Sequence, residues 1–179
     1  MTLTVGKKVV YRGRGPCLIG AVVQKVVCGR SASFYRLALL DDSRAELFVP
    51  VDNFRDLNMR PLLERSEIPE LLGHLKARAG ATKDLGTAKN WRQRNLDNLK
   101  LFSSGSLFDL ADMVESLTQL RSTRTLAPHE QETLHRARKL LICEISEVME
   151  ESKSAAEARI DRVLEGPRDR NSAGTEKEH

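Results

Sequence analysis

"KKVVYRGRGPCLIGAVVQKVVCGRSASFYRLALL", residues 7–40, is the stretch on which the fold turns. Its apolar residues come in short runs, "KKVVY", "LIGAVVQKVV" and "SFYRLALL", separated by "RGRGP" and "CGRSA". Branched and aromatic side chains suit a pleated, half-buried surface, and Gly, Pro and Ser in the gaps supply turn conformations. After "DDSR" comes one more such run, "ELFVPV", and a short piece near "NMRPL" makes a fifth strand. This is the size of a small Tudor-like or SH3-like antiparallel β-barrel. Pro50 has no N–H to give to a ladder, so its strand is expected at a sheet edge or at a bulge.

From Ser66 onward the apolar period lengthens from two to about 3.6, the repeat of an α-helix, and no strand pattern returns. "SEIPELLGHLKARAG" opens on a capping serine, Ser66, and stops at Gly80. "SLFDLADMVESLTQLRS" pairs Ser106 with Asp109 at its start and carries Leu107, Leu110, Ala111, Val114, Leu117 and Leu120 along one stripe. "PHEQETLHRARKLLICEISEVMEE" begins at Pro128 and repeats Leu134, Ala137, Leu141, Ile145 and Val148. "SAAEARIDRVLEG" offers a capping box in Ser154 and Glu157 and ends at Gly166. The expected class is therefore α+β, with strands first and helices after. A β domain over 1–65 precedes a compact bundle of about five helices over 66–166, and the polar residues 167–179 form a disordered tail.

Composition narrows the function. The formal charge is only +4, yet residues 1–62 hold ten Lys and Arg against five Asp and Glu, and residues 74–105 hold seven against two. Two basic regions of this kind favour a polyanionic partner. The chain's one tryptophan, Trp91, lies inside the second region in "KNWRQRNLDNLK". Its neighbours three and four residues on are Arg94 and Asn95, which leaves two readings. Either the indole faces outward on a basic surface, or it packs between helices while arginines cover apolar surface around it.

Catalysis finds no support in the residues. His74, His129, His135 and His179 are scattered, and no serine sits in a nucleophile elbow. "GRGPCLIG" lacks the lysine and the helix start of a phosphate loop. The carboxylates are read as lying mostly on solvent faces of helices. Cys17, Cys28 and Cys143 lack zinc-site spacing and are expected as small buried or half-buried residues in a reducing compartment. No cofactor or metal is expected. The opening "MTLTVGKKVV" is not a signal peptide and no apolar run is long enough for a bilayer, so the expectation is a cytoplasmic protein, monomeric and not bound to a membrane.

Taken in order, "VGKKVVYRGRGPCLIGAV", "FYRLAL", "FVPVDN", "MRPL", "NWRQRNLDNLKLFSSGSLFDLADMVESL" and "LAPHEQETLHRARKLLICEIS" resemble the CarD/CdnL family of bacterial transcription regulators. The resemblance runs over roughly residues 3–165. It implies a Tudor-like domain that docks on the RNA polymerase β subunit, and a helical domain that lies against promoter DNA at the upstream edge of the transcription bubble. In that reading Trp91 wedges into the minor groove, and Arg92, Arg94 and Lys100 contact phosphates weakly and without sequence preference. Arg36, Tyr35, Phe48 and Pro50 match the strands that meet polymerase. The chain departs from the family pattern at "RGRGPC", where two arginines enter the turn and the proline stands at position 16, and after Trp91, at Gln93 and Asn95. The second departure implies weaker DNA contact than in a typical member. The rival reading is a protein-interaction adaptor that binds polymerase or another protein without significant DNA contact. A methyl-reading Tudor cage is not supported, because Tyr11, Phe34, Tyr35, Phe48 and Phe54 are few and spread along the chain.

Overall fold

The computed structural model describes residues 4–41, 43–51, 59–79 and 91–165, and for 78, 79 and 91–95 the backbone only. Five strands form one antiparallel sheet: β1 (Lys8–Tyr11), β2 (Gly15–Val27), β3 (Arg30–Leu39), β4 (Glu46–Pro50) and β5 (Met59–Arg60). Their neighbour order is β4-β3-β2-β1-β5, so Pro50 does lie on an edge strand, where a missing donor costs nothing. Val9, Cys17, Ile19, Leu37 and Val49 are buried on one face of the sheet. Burial pushes the Cys17 thiol up to about 11. The β2–β3 hairpin is longer than the run pattern suggested, because the gap is only Cys28 and Gly29. Both have positive φ, 50° and 75°, the backbone of a two-residue hairpin turn that matches the twist of the flanking strands. Cys28 is consequently exposed rather than half-buried, while Cys17 and Cys143 are buried as expected.

Five helices follow: α1 (Ile68–Ala79), α2 (Trp91–Ser104), α3 (Leu107–Thr123), α4 (Pro128–Met149) and α5 (Lys153–Leu164). Ser106 caps α3 and accepts from the Asp109 N–H, and Pro128 opens α4, both as read from the sequence. The other two caps differ. Ser66 sits inside a 3₁₀ turn (Arg65–Glu67) that precedes α1, and there the Glu64 N–H donates to Glu67 at 2.7 Å. Ser152, not Ser154, caps α5 by accepting from the Ala155 N–H at 3.1 Å. A cap is selected by where the chain turns into the bundle, and in both places a nearby alternative residue meets the orphan N–H groups. The helical core is built from the stripes of α3 and α4 together with Ile68, Leu71, Leu75, Ala156 and Ile160. Gly80, the 81–88 loop, Gly166 and the tail expected over 167–179 lie outside the described residues.

Helix α4 has two working faces. Leu134, Ala137, Leu141 and Ile145 enter the helical core. On another side Arg136, Lys139, Glu144 and Glu147, which in sequence look like a solvated stripe, reach the β domain. The Arg60 guanidinium from β5 grips Glu144 with two parallel bonds of 2.6 and 2.7 Å. The Leu63 N–H donates to the same carboxylate at 3.2 Å, and Arg60 Nε donates to the Gly105 carbonyl at 2.6 Å. The Glu144 side chain is only 2% exposed. Lys8 pairs with Glu147 at 2.7 Å and Lys139 with Asp41 at 3.0 Å. Three carboxylates depart from the solvent-face placement expected for most of them: Glu115, Glu130 and Glu144 are buried.

These contacts predict unequal costs. Arg60→Ala leaves a buried carboxylate without its partner and should destabilise the chain by about 3–5 kcal/mol, whereas Lys8→Ala removes an exposed cation from a half-buried carboxylate that water still reaches and should cost about 1 kcal/mol. Urea denaturation of both variants measures the difference. A second expectation concerns acid. Burial pushes the Asp41 carboxyl up, but hydrogen bonds from Ser43 and Lys139 outweigh this and hold it below the ordinary carboxylate range. A depressed folded-state value contributes stability that is present above the unfolded value and is lost as pH falls through the folded one. Lys139→Met should therefore lower stability at neutral pH and flatten its decline below the ordinary carboxylate range, as read by thermal melts across pH.

Candidate functional site

The outward face of the sheet is polar and aromatic where its inward face is aliphatic. Period-two alternation puts Phe34, Arg36 and Ala38 of β3 on the face opposite Tyr35, Leu37 and Leu39. The register brings Arg36 opposite Phe48 and Phe34 opposite Pro50. Arg36 is exposed and lies 3.7 Å from Glu46, an ion pair with both partners in water and of little energetic weight. Beneath it, the β2 ladder shifts register between Ile19 and Val22. Gly20 lies in that shift, and a Cβ there would meet the Arg36 carbonyl at 2.9 Å, so the close approach that presents Arg36 depends on a glycine.

Phe48 is 38% exposed, an aromatic ring on an edge strand in contact with solvent. The Lys25 ammonium sits 3.1 Å from its ring centroid, a cation–π contact that holds the ring in place and surrounds it with positive charge. Of the four sequence candidates in this domain, Arg36, Phe48 and Pro50 therefore share one face of the β3–β4 edge. Tyr35 does not; it points to the other face and packs partly against the sheet core. Lys25 was not among the candidates. Within "VVQKVV" it is one more residue of an alternating run, and only the β2–β3–β4 register puts it over Phe48.

The second set of candidates belongs to α2, which begins at Trp91. The side chains of Trp91, Arg92 and Arg94 lie outside the described residues, and Lys100 is exposed. In the last turns of helix α2, Leu101 and Phe102 pack against the helical core. Leu96 and Leu99, three residues apart, remain 53% and 55% exposed. An amphipathic helix that leaves leucines in water on its free side presents an apolar ridge to a partner. Gly105, with φ of 68°, ends the helix in the left-handed conformation and turns the chain into α3.

Elsewhere the polar groups are structural. His74 Nε2 lies 2.7 Å from Asp112 and edge-on to Phe108, tying α1 to α3. Among the described residues no group of three His, Cys, Asp or Glu is placed to hold a metal, and no helix is long and apolar enough to cross a membrane.

Against this geometry, residues 3–63 match the family model for the CarD-like/TRCF RID domain, and residues 75–161 match that for the CarD C-terminal domain. The two matches meet the β domain and the helices in the order in which the chain presents them.

The hairpin tip gives a direct check of the exposed sheet face. Cys28, in the turn that follows Lys25 and Val27, should react with a thiol reagent at once in the folded protein, while Cys17 and Cys143 react only on unfolding. Thiol titration before and after adding denaturant reads out one fast group and then all three.

Proposed function

The chain belongs to the CarD/CdnL family of RNA polymerase-interacting transcription factors, and from that premise we propose that its β3–β4 edge docks on the polymerase β subunit while α2 stabilises the open promoter complex. The observation that carries the reading is the pairing of two exposed surfaces on one body. One is the Phe48–Lys25–Arg36 patch on the β3–β4 edge, and the other is the side of α2 on which Leu96, Leu99 and Lys100 are exposed. Promoter DNA is the partner of the second surface, contacted in the minor groove at the upstream bubble edge by Trp91, with Arg92, Arg94 and Lys100 at the phosphates.

The physics of a wedge favours this division of labour. An apolar side chain pushed into a base step costs unstacking of a few kcal/mol, which is recovered only where DNA is already bent or opening. Phosphate contacts hold the backbone without reading sequence. Alone, such a helix binds duplex weakly. Held beside the bubble by a docked β domain, it acts at a high effective concentration, and its energy enters as a preference for the open state over the closed one. Edge strand β4 suits the tether, because it offers unpaired backbone groups together with an aromatic anchor.

Exposed Leu96 and Leu99 also fit a protein partner, which is the observation in favour of an adaptor without DNA contact. Kinetics separate the two readings. An indole stacked at a base step is worth on the order of 1–3 kcal/mol, or roughly five-fold to more than a hundred-fold in the open-to-closed ratio. Trp91→Ala should shorten the competitor-challenged lifetime of open complexes within that range while leaving polymerase binding unchanged. Unaltered lifetimes with polymerase still bound would favour the adaptor. Docking has its own check: Phe48→Ala and Arg36→Glu, made in the full chain because Arg60 ties the β domain to α4, should each weaken polymerase binding by about tenfold or more with the melting temperature little changed.

A further inference from the structure

Two arginines of the β1–β2 turn have no part in the site described above. Arg12 and Arg14 flank Gly13 and are exposed. The turn is fastened to the helical domain at both sides. The Arg12 side-chain stem lies directly on Gly105, at the junction of α2 and α3, so closely that a Cβ there would collide with it. Arg136 of α4 donates to the Gly13 carbonyl at 2.9 Å and holds its guanidinium 5.2 Å from the Phe102 ring of α2. Arg12 from the β1–β2 turn and Arg136 from α4 thus meet at the C-terminal end of α2, and Arg14 is exposed on the same turn.

Their charge is not neutralised. Elsewhere at the domain junction the ions are matched: Arg60 with Glu144, Lys8 with Glu147 and Lys139 with Asp41. Among the described residues none of Arg12, Arg14 and Arg136 forms an ion pair, and the carboxylate beneath the turn, Glu144, is already held by Arg60. Exposed arginines on adjoining segments, without carboxylate partners, are an arrangement that phosphate oxygens satisfy, because each guanidinium offers a planar fork of donors.

We propose that Arg12, Arg14 and Arg136 form a second phosphate-contacting cluster for promoter duplex, at the opposite end of α2 from Trp91. The inference rests on the reading that α2 lies against DNA. Helix α2 has 14 residues and so separates the two ends by about 20 Å. At 3.4 Å per base pair this is about six base pairs, so duplex running along α2 from the wedge arrives at the cluster within one helical turn. The arginines that depart from the family pattern at "RGRGPC" would then offset the charge missing at Gln93 and Asn95.

The salt dependence of binding to a short labelled duplex, measured by anisotropy with the full chain, tests this. Arg12→Ala/Arg14→Ala should lower the magnitude of the log–log salt slope by about 1.8, at about 0.9 for each lost phosphate contact. Arg30→Ala, an exposed arginine on the β2–β3 hairpin, controls for net charge and should leave the slope unchanged. Arg12→Lys/Arg14→Lys keeps the charge and should retain most of the slope, which a role in packing against Gly105 alone would not require. If the wild-type slope is present and the double alanine variant keeps it, or matches the Arg30→Ala control, the cluster does not contact DNA and Arg12 serves only to cover the α2 terminus. A wild-type chain with no salt-dependent binding overturns the DNA reading itself, and the cluster with it.

Discussion

A single charged contact sets the geometry of this protein: the Arg60 guanidinium clasping a carboxylate, Glu144, that is buried in the junction between sheet and helices. Taking a carboxylate out of water is expensive, and only a partner with matched donors makes the position tolerable. Arg60 meets that demand because a guanidinium presents two parallel N–H groups to two oxygens. The Leu63 N–H donates to Glu144 Oε1 as well, and Arg60 gives two further donors to the Gly105 and Pro61 carbonyls, so the pair is held from several sides. Displacing the β domain by even a few ångströms would strand a buried charge. The pair acts as a registry device more than as a source of stability.

That registry has a functional consequence. A tether and a wedge cooperate only if the body between them holds a fixed separation, since effective concentration falls when the link is loose. Helix α4 supplies the rigid body. One side enters the helical core through Leu134, Ala137, Leu141 and Ile145, and another side grips β1, β5 and the β3–β4 loop through Glu147, Glu144 and Lys139. The Phe48 patch and α2 are then positioned by the same helix, through different faces of it.

The distribution of charge follows the same logic. Cations that build the structure are matched to carboxylates: Arg60 and Lys139 across the junction, and Arg124, Arg138 and Arg159 within the helices. At the proposed contact surfaces Lys25 lies over Phe48, Arg136 lies beside Phe102 and Gly13, and the Arg36 pair with Glu46 is long and in water. A ring or a carbonyl orients a cation without neutralising it, so its field remains available to an incoming partner.

Local pattern carried much of the architecture. Short branched and aromatic runs between turn residues were enough for the strands, and the missing N–H of Pro50 restricted its strand to an edge or a bulge. The 3.6-residue stripes of α3 and α4 marked the helical core. The order of motifs was enough to place the chain in its family. What remained undecided involved groups whose environment is set by residues far away in sequence. The stripe Arg136, Lys139, Glu144 and Glu147 has the same composition whether it faces water or a second domain, and only the docking of β5 turned Glu144 into a buried group. Lys25 met Phe48, Arg12 met Gly105, and Arg136 met the turn at Gly13, through pairings that no local period encodes. Apolar residues reveal their burial because water drives them from it wherever they stand; a polar residue is placed by its partner, and the partner is chosen by the tertiary fold.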